Sequence, residues 1–440
     1  MKKSLLAVAA LGAFTSAAQA QSSVTVYGIM DAGYVGANER VATGATVLRG
    51  TQSGFGDAAE STSRLGFKGT EDLGGGLSAF FTVELGLNLN TQFVVNTSAT
   101  QNRQSFVGLK KAGLGDFAFG TQYTLVHNAV AQTDPGMQNN IMGDMIYTAN
   151  KIATGGNPSS SSSLGTNQVT GSGNGAGDSY TIRQNNMLTL NTANFGGFVG
   201  HGFVQMRNTN SNQTQVNNGN NGYSGGIDNS NGWGLGADYT WNKLFVTGAY
   251  QSYNAKNPWD NSVTTTGSVT STGATKTTTA AGTTGALAIF GSGQGSTPGI
   301  NSKDNQWYAG ATYDFGILKA YVQYVNRKVT SQIDPTAYVS RTAQQIGVRS
   351  FITPTIEAWA SGGNGKYTAN GSGSPTANLT GWQVGSNYWL SKRTNLYAIY
   401  GMTTTSGAYG MTSAGTGTQA TTPGAGSNAS QYALGMRHTF

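Results

Sequence analysis

The chain has 440 residues, of which only 10% are charged, and it contains no cysteine, so disulfide bonds do not stabilise its fold. Its formal net charge of +7 comes from basic residues scattered singly along the sequence, whereas nucleic-acid binding calls for clustered Lys and Arg. With 65 glycines, the composition suits neither an ordinary soluble enzyme nor a helical membrane protein.

The N-terminus has the features of a secretory signal peptide. Two lysines precede an apolar run from Leu5 to Phe14, and Ala18-Gln19-Ala20 forms a small-x-small cleavage site. The apolar run is shorter than the roughly 20 residues that a transmembrane helix needs. We therefore predict that residues 1–20 are a signal peptide and that residues 21–440 form one mature domain with a formal charge of +5.

After the signal peptide the sequence contains no window of 18 consecutive apolar residues, so it predicts no membrane-spanning helix. A closed barrel is the other structure that satisfies every backbone polar group in lipid. The sequence repeats a unit suited to a barrel, in which two stretches of alternating polarity are joined by a short turn and followed by a long polar loop. We predict sixteen such stretches, beginning near Val24, Thr62, Gly76, Asn102, Gly115, Arg183, Gly197, Asn231, Asn242, Asp304, Ile317, Ala343, Thr353, Gly381, Arg393 and Gln431.

The connections between these stretches alternate in length. Seven are short turns, and the first of them, Glu71–Gly75, contains glycines that can adopt positive φ. Eight are long loops, at 37–61, 91–101, 123–182, 209–230, 255–303, 329–342, 363–380 and 405–430. An even number of strands with both termini on the periplasmic side gives this alternation. The sequence therefore predicts an all-β fold, a 16-stranded antiparallel transmembrane β-barrel with short periplasmic turns and long extracellular loops.

The last stretch illustrates the two faces of a predicted strand. One face carries Tyr432, Leu434, Met436, His438 and Phe440, and the other carries Gln431, Ala433, Gly435, Arg437 and Thr439. The first face suits lipid and the second suits water. A soluble β-sandwich also alternates in polarity, but its apolar face fills a packed core. The export signal and the alternating connection lengths favour the barrel.

Five segments resemble the porins of beta-proteobacteria, a family of trimeric 16-stranded channels. They are VTVYGIMDAGY at 24–34, SRLGFKGTEDLGGGL at 63–77, NRQSFVGL at 102–109, YWLSKRTNLYAIY at 388–400 and GMRHTF at 435–440. The resemblance implies an outer-membrane homotrimer, in contact with lipid and lipopolysaccharide, whose water-filled channel lets small hydrophilic solutes and ions diffuse passively. It implies no cofactor and no nucleic-acid partner. It also implies that Phe440, the final residue, is part of the signal read by the barrel assembly machinery.

The resemblance further implies that the third loop, 123–182, folds into the lumen and forms a constriction that selects solutes by width and field. It places Arg64, Arg103 and Arg183 where the family carries pore-wall arginines, and Lys68 shares the inward face of the strand of Arg64. Two acids of the third loop, Asp134 and Asp144, are expected to supply a negative wall opposite. Because grouped arginines attract anions, we expect weak anion selectivity.

Strict alternation leaves Arg103 less well supported than the other arginines. Val107 and Leu109 share its parity and would then also point into the lumen. The sequence also departs from the family at Thr121, since an arginine often follows the preceding glycine there. Arg327 is expected near a strand end, in wider water, with little influence on selectivity.

Two other functions remain as alternatives. A substrate-specific channel for sugars or aromatic acids is suggested by Tyr321 and Tyr397, which lie on predicted inward faces. An outer-membrane enzyme would need a catalytic constellation, but the three histidines lie in no Ser/His/acid arrangement and no metal-ligand spacing; they are His127, His201 and His438. We therefore predict neither catalysis nor a metal site, and a diffusion channel is favoured.

Overall fold

The computed structural model describes residues 23–43, 46–89, 101–147, 179–217, 223–256, 301–331, 338–369, 376–406 and 426–440. The predicted signal peptide at 1–20 lies outside these residues. In the described ranges no helix has both the length and the apolar character needed to span a bilayer.

The described chain is built almost entirely of antiparallel strands. The strands are β1 (Ser23–Thr43), β2 (Thr46–Asp57), β3 (Arg64–Gly74), β4 (Leu77–Gly86), β5 (Gln101–Lys111), β6 (Gly115–Tyr123), β7 (Arg183–Thr192), β8 (Phe198–Asn217), β9 (Tyr223–Trp241), β10 (Leu244–Lys256), β11 (Asn301–Asp314), β12 (Lys319–Ser331), β13 (Tyr338–Phe351), β14 (Ile356–Ala369), β15 (Thr376–Trp389), β16 (Thr394–Ser406) and β17 (Gly426–Thr439). The described residues also include a helix, α1 (Leu125–Thr133), between β6 and β7.

The strands close into a barrel with sixteen positions around its circumference. Successive strands pair antiparallel, and β17 pairs back with β1. Strands β2 and β3 occupy a single position, because β3 pairs with β1 from Ser23 to Ile29 and β2 pairs with β1 from Ala32 to Thr43. The predicted 16-stranded antiparallel barrel is therefore confirmed, with its second strand interrupted at residues 58–63.

The C-terminal residue takes part in the closure. Phe440 and Gly28 exchange two backbone hydrogen bonds of 3.1 Å. The ring of Phe440 lies directly over Gly28, where a Cβ would come within 2.3 Å of the ring carbon Cζ. A glycine is therefore required at position 28 for the chain end to close the wall.

Alternation of side chains between lipid and lumen holds along the strands. In β16, Leu396 and Tyr400 are exposed on the outer wall, whereas Asn395, Tyr397 and Ile399 are buried inside.

The strands are longer than the sequence predicts. The expected first loop at 37–61 is wrong, because β1 and β2 continue as a paired hairpin to Thr43 and Thr46. Polar residues above the membrane still satisfy their backbone groups by pairing with a neighbouring strand, so side-chain polarity did not mark the strand end.

Aromatic residues form two rows on the outer wall. The first row contains pairs on adjacent strands with ring centroids 4.7 to 5.4 Å apart, namely Trp233–Tyr250, Trp307–Tyr324 and Trp382–Tyr400. Six residues further along β9, β11 and β15 lie the exposed side chains of Tyr239, Tyr313 and Tyr388. Six residues correspond to about 20 Å along a strand, so the two rows lie at two separate levels of the outer wall.

The buried core of the molecule lies inside the barrel, where the third loop packs against the inner wall. Helix α1 begins after Thr124, whose hydroxyl accepts a hydrogen bond from the backbone N–H of His127 at 3.3 Å. The loop contributes apolar side chains to a buried cluster with residues of the wall, including Val126, Val130, Met145, Ile146, Tyr253, Tyr308, Val325 and Leu379. The prediction that the third loop folds into the lumen is confirmed.

Candidate functional site

Three arginines from alternate strands meet on one side of the lumen. The Nε of Arg103 lies 2.7 Å from Oε1 of Glu84, and Nη1 of Arg64 lies 3.9 Å from the same oxygen. Arg103 also donates to the hydroxyl of Tyr123 at 2.6 Å, and the guanidinium of Arg183 lies 5.6 Å from the centre of the Tyr123 ring. We call these five residues the arginine cluster. Three cations around one carboxylate give the cluster an excess of positive charge.

Arg103 points inward because its strand contains a bulge. Glu84 pairs with Gln104 and the next residue, Leu85, pairs with Asn102, so Arg103 has no partner in the register. Beyond the bulge the alternation is reversed, and Val107 is 58% exposed on the outer wall. The expectation that Val107 and Leu109 would point inward with Arg103 was therefore wrong. Glu84 was missed by sequence reasoning, although it is the acid of the strand between the two arginine strands.

Arg183 is 6% exposed and lies beside a similar irregularity. The register of β6 and β7 shifts between Gly120 and Gln122, and Asn186 has a φ of +53° there. The Nε and Nη1 atoms of Arg183 are buried and have no hydrogen-bond partner among the described residues. A buried cation without such partners favours the approach of an anion.

Lys68 lies apart from the arginine cluster. It is four residues beyond Arg64 along β3, about 13 Å toward the short turn at the periplasmic end. Its ammonium group lies 5.4 Å from the centre of the Tyr27 ring, and its side chain is exposed. The structure therefore places Lys68 on the same face as Arg64 but below the cluster.

The two loop acids are turned into the loop itself. Asp134 and Asp144 are each 1% exposed. The carboxylate of Asp134 accepts hydrogen bonds from the backbone N–H groups of Gly136 and Gln138, and that of Asp144 accepts from Ile146 at 2.6 Å. Burial and the adjacent Asp144 raise the pKa of Asp134 well above its usual range. Neither carboxylate is positioned to form the expected acidic wall, because both bind loop backbone.

Five glutamines of the inner wall hold the backbone of the third loop, and we call them the glutamine belt. Gln345 accepts from the N–H of Met145 at 2.7 Å, and Gln306 accepts from that of Thr181 at 2.8 Å. Gln251 accepts from the N–H of Val126 at 3.4 Å, and Gln431 accepts from that of Met142 at 3.0 Å. The fifth member, Gln383, donates to the carbonyls of Ile141 and Met142. A glutamine amide offers both donors and an acceptor, so it can pair with irregular backbone of either kind. Sequence reasoning missed these residues; the available signal was glutamine repeated at inward positions of five strands.

The interruption between β2 and β3 gives the loop a further anchor. Ala58 has a φ of +58°, and its strand leaves the sheet there. The freed backbone carbonyls of Ala58 and Ala59 accept hydrogen bonds of 2.8 and 2.9 Å from the side chain and backbone of Asn140. On the opposite side, Arg349 donates to the carbonyl of Pro135 at 2.7 Å. The loop is thus attached to the wall at both ends of its described segment and along its length.

Three inward side chains are not in open water. Arg327 is completely buried and pairs with Asp304 at 2.6 Å, so the prediction of a solvent-exposed strand end was wrong. Tyr397 is 4% exposed and donates to the carboxylate of Asp31 at 2.6 Å. Tyr321 is buried as well. The two tyrosines therefore provide no exposed aromatic track for a flat solute.

His127 lies between the arginine cluster and the loop. Its ring stacks on that of Tyr123 with centroids 4.3 Å apart, and Tyr147 and Tyr180 lie at 6.1 and 6.0 Å. Burial and the three cations of the arginine cluster lower its pKa well below the usual range. Of the other histidines, His201 contacts Asn191 and Asp238, and His438 contacts Thr394. Within the described part of the chain, no group of three His, Cys, Asp or Glu residues could hold a metal ion.

The sequence was compared with models of known protein families. The model described as Gram-negative porin matches residues 7–408. The chain belongs to the Gram-negative porin family. The family and the barrel together locate this porin in the outer membrane of a Gram-negative bacterium.

Similar sequences are also porins. An outer membrane porin protein of Bordetella pertussis is 38% identical over 143 residues, which cover 31% of this chain and 37% of that protein. Outer membrane porin protein 32 of Delftia acidovorans is 34% identical over 213 residues, covering 46% of this chain and 50% of that protein. The chain thus spans half or less of the length of these two relatives. They confirm the predicted resemblance to porins of beta-proteobacteria.

Solved structures share the fold of this porin. The anion-selective porin from Comamonas acidovorans has a TM-score of 0.59 and 19% identity, covering 96% of this chain and 100% of that one. The in-vitro folded OmpT of Vibrio cholerae in its trimer form has a TM-score of 0.54 and 13% identity, with coverages of 95% and 99%. At these identities the likeness shows the barrel architecture alone.

Acid should loosen the constriction of this porin through His127. Because the buried ring has a lowered pKa, the docked loop binds fewer protons than an undocked loop, so docking weakens as pH falls below about 6.5, by up to about 1.4 kcal/mol per pH unit. The groups that face the ring are Arg64, Arg103, Arg183, Tyr123, Tyr147 and Tyr180. The raised pKa of Asp134 acts in the opposite direction, because protonation of Asp134 in acid favours the docked loop. The contribution of His127 is therefore measured by comparing single-channel recordings at pH 7 and 4.5 for the wild type and for His127→Phe, which keeps the stacking. The change from pH 7 to pH 4.5 should add fewer closures in the variant than in the wild type. An unchanged difference in the variant would contradict the prediction.

Proposed function

We propose that the mature protein, residues 21–440 after removal of the signal peptide at 1–20, forms a water-filled channel for passive diffusion of small hydrophilic solutes and ions, with a weak preference for anions. The observation that carries this proposal is the arginine cluster, in which Arg64 and Arg103 share the one carboxylate of Glu84 and Arg183 lies over the adjacent ring of Tyr123. Positive charge focused in a lumen with low-dielectric walls raises the local concentration of anions. We include Lys68 as a secondary contributor.

Further features support an anion-selective channel. Arg183 has two buried nitrogens without a partner among the described residues, so no carboxylate bound to them reduces the positive charge of this arginine. The two acids of the third loop, Asp134 and Asp144, add no lumen-facing charge to oppose the arginines. The Comamonas neighbour is named an anion-selective porin, and the curated relatives are named porins rather than enzymes. A catalytic role has no support from these observations.

The reversal potential of the wild-type channel in a salt gradient tests the proposed selectivity. We expect a weak anion preference that decreases as salt rises, because the Debye length falls from about 10 Å at 0.1 M to about 3 Å at 1 M. A cation preference at low salt would refute the proposal, since the cluster would then not govern the passing ions.

We infer that three copies assemble in the outer membrane, in contact with lipid and lipopolysaccharide, and that the barrel assembly machinery reads Phe440. The position of Phe440 at the closing seam and the trimer form of the Vibrio cholerae neighbour support this inference. Deleting Phe440 should lower the amount of trimer in outer-membrane fractions, measured on unheated denaturing gels. Ordinary pore conductance is expected for the molecules that insert. Equal trimer levels would contradict the role of Phe440, and a wild type found only as monomers would contradict the trimer.

A further inference from the structure

A groove of about 680 Å³ runs along the outer wall of the barrel between β4 and β9. The side chains that line it are mainly apolar, and they include Leu77, Leu109, Leu114, Phe117, Leu190 and Leu235. The groove is concave because Gly200 and Gly202, at successive outward positions of β8, place no side chain over the sheet. Its volume lies in the range of about 300–1,000 Å³ that is typical of small-molecule sites.

The groove lies at the periplasmic end of the lipid-facing wall. Leu114 and Gly115 belong to the short turn between β5 and β6, and Lys111 ends β5 at the same rim. Lys111 is exposed, and its ammonium group reaches the carbonyl of Gly75 at 2.6 Å. A lysine with an apolar stem and a charged head at this level lies where lipid phosphates are found.

We propose that this groove binds a phospholipid of the periplasm-facing leaflet. An acyl chain lies over Gly200 and Gly202, and an anionic phosphate group lies at Lys111. The apolar lining fits hydrocarbon, since it offers almost no hydrogen-bonding surface to a polar solute. The charge of Lys111 at one end of the groove complements a phosphate rather than a second apolar surface, which favours a lipid over another copy of the chain.

Two glycine substitutions test the groove with matched geometry. Gly202→Leu should fill it, and the strand can accept the change because a Cβ at Gly202 meets Cδ2 of Leu235 at 3.6 Å, an ordinary contact. Gly362→Leu is the control. Gly362 faces outward on β14, away from the groove, and its Cβ would meet that of Trp382 at 3.7 Å. Each variant adds the same leucine to the lipid-facing wall.

The full-length proteins are incubated with micelles holding equal amounts of phosphatidylglycerol and phosphatidylethanolamine, and retained lipid is counted by native mass spectrometry. Wild type and Gly362→Leu should retain phospholipid, mainly phosphatidylglycerol. Retention by Gly202→Leu should fall about tenfold, as expected for the loss of about two buried CH₂ groups. Lys111→Gln should retain lipid but lose the preference for phosphatidylglycerol.

Three outcomes would overturn the proposal. Wild type could carry no phospholipid, or Gly202→Leu and Gly362→Leu could retain equal amounts. The third outcome is loss of the oligomer in Gly202→Leu with lipid retention unchanged, which would assign the groove to a second copy of the chain.

Discussion

Replacing Arg64 with glutamine should shift the reversal potential of the channel toward cations. Arg64 is the most exposed arginine of the cluster, with 20% of its side chain accessible, and its contact with Glu84 is long at 3.9 Å. Its charge can therefore be removed without breaking the 2.7 Å pair between Arg103 and Glu84. In water, a unit charge attracts an anion about 7 Å away by about 0.6 kcal/mol. Removing the charge of Arg64 should therefore lower the local concentration of anions roughly threefold.

The control for this measurement is Lys68→Gln, which removes the same charge from the same face of the same strand. Because Lys68 lies about 13 Å along β3 from Arg64, its effect should be much smaller at 0.1 M salt. Arg327→Gln is unsuitable, since breaking its buried pair with Asp304 destabilises the wall. Equal shifts from Arg64→Gln and Lys68→Gln would mean that selectivity reflects diffuse net charge. If Arg64→Gln causes no shift in the reversal potential, Arg64 is not one of the residues that set selectivity at the constriction.

The second large effect is expected from the glutamine belt. Replacing Gln345 and Gln383 together with leucine leaves the loop groups at residues 141, 142 and 145 without their side-chain partners. Each orphaned buried group costs about 1–3 kcal/mol, so the loss of three partners in the double variant should weaken docking of the loop by about 3–9 kcal/mol. We expect noisier single-channel currents and closure at lower voltage. The backbone ladder of the barrel is unchanged, and its thermal unfolding should change much less than the gating.

The neighbouring residue provides a matched control for the belt. Gln344 lies on the same strand as Gln345 but is exposed on the outer wall. Gln344→Leu therefore removes an identical amide without touching the loop, and its channels should be as quiet as those of the wild type. If Gln345→Leu/Gln383→Leu channels are equally quiet at every voltage, the apolar contacts of the loop suffice to hold it and the belt has no positioning role.

Much of the barrel was determined by the sequence alone. Side chains alternate across a strand with period two, so the faces of β16 and β17 could be predicted without knowing their neighbours. The alternation of short and long connections fixed the strand count and the side of the termini. The strand ends were predicted less well. The polar residues at 37–43 and 46–57 resemble a loop in sequence, yet pairing between β1 and β2 satisfies their backbone groups.

The chemistry of the constriction was decided by the tertiary structure. Period-two reasoning fails at a bulge, and Arg103 faces the lumen because its register with β4 skips one residue. In a loop no regular alternation predicts the direction in which an acidic side chain points. Asp134 and Asp144 accept hydrogen bonds from nearby backbone N–H groups and do not point into the pore. The glutamine belt joins residues more than a hundred positions apart, as in the pairs of Gln345 with Met145 and Gln383 with Met142. Such contacts exist only once the barrel has closed, so local pattern determined the wall and long-range packing determined what lines it.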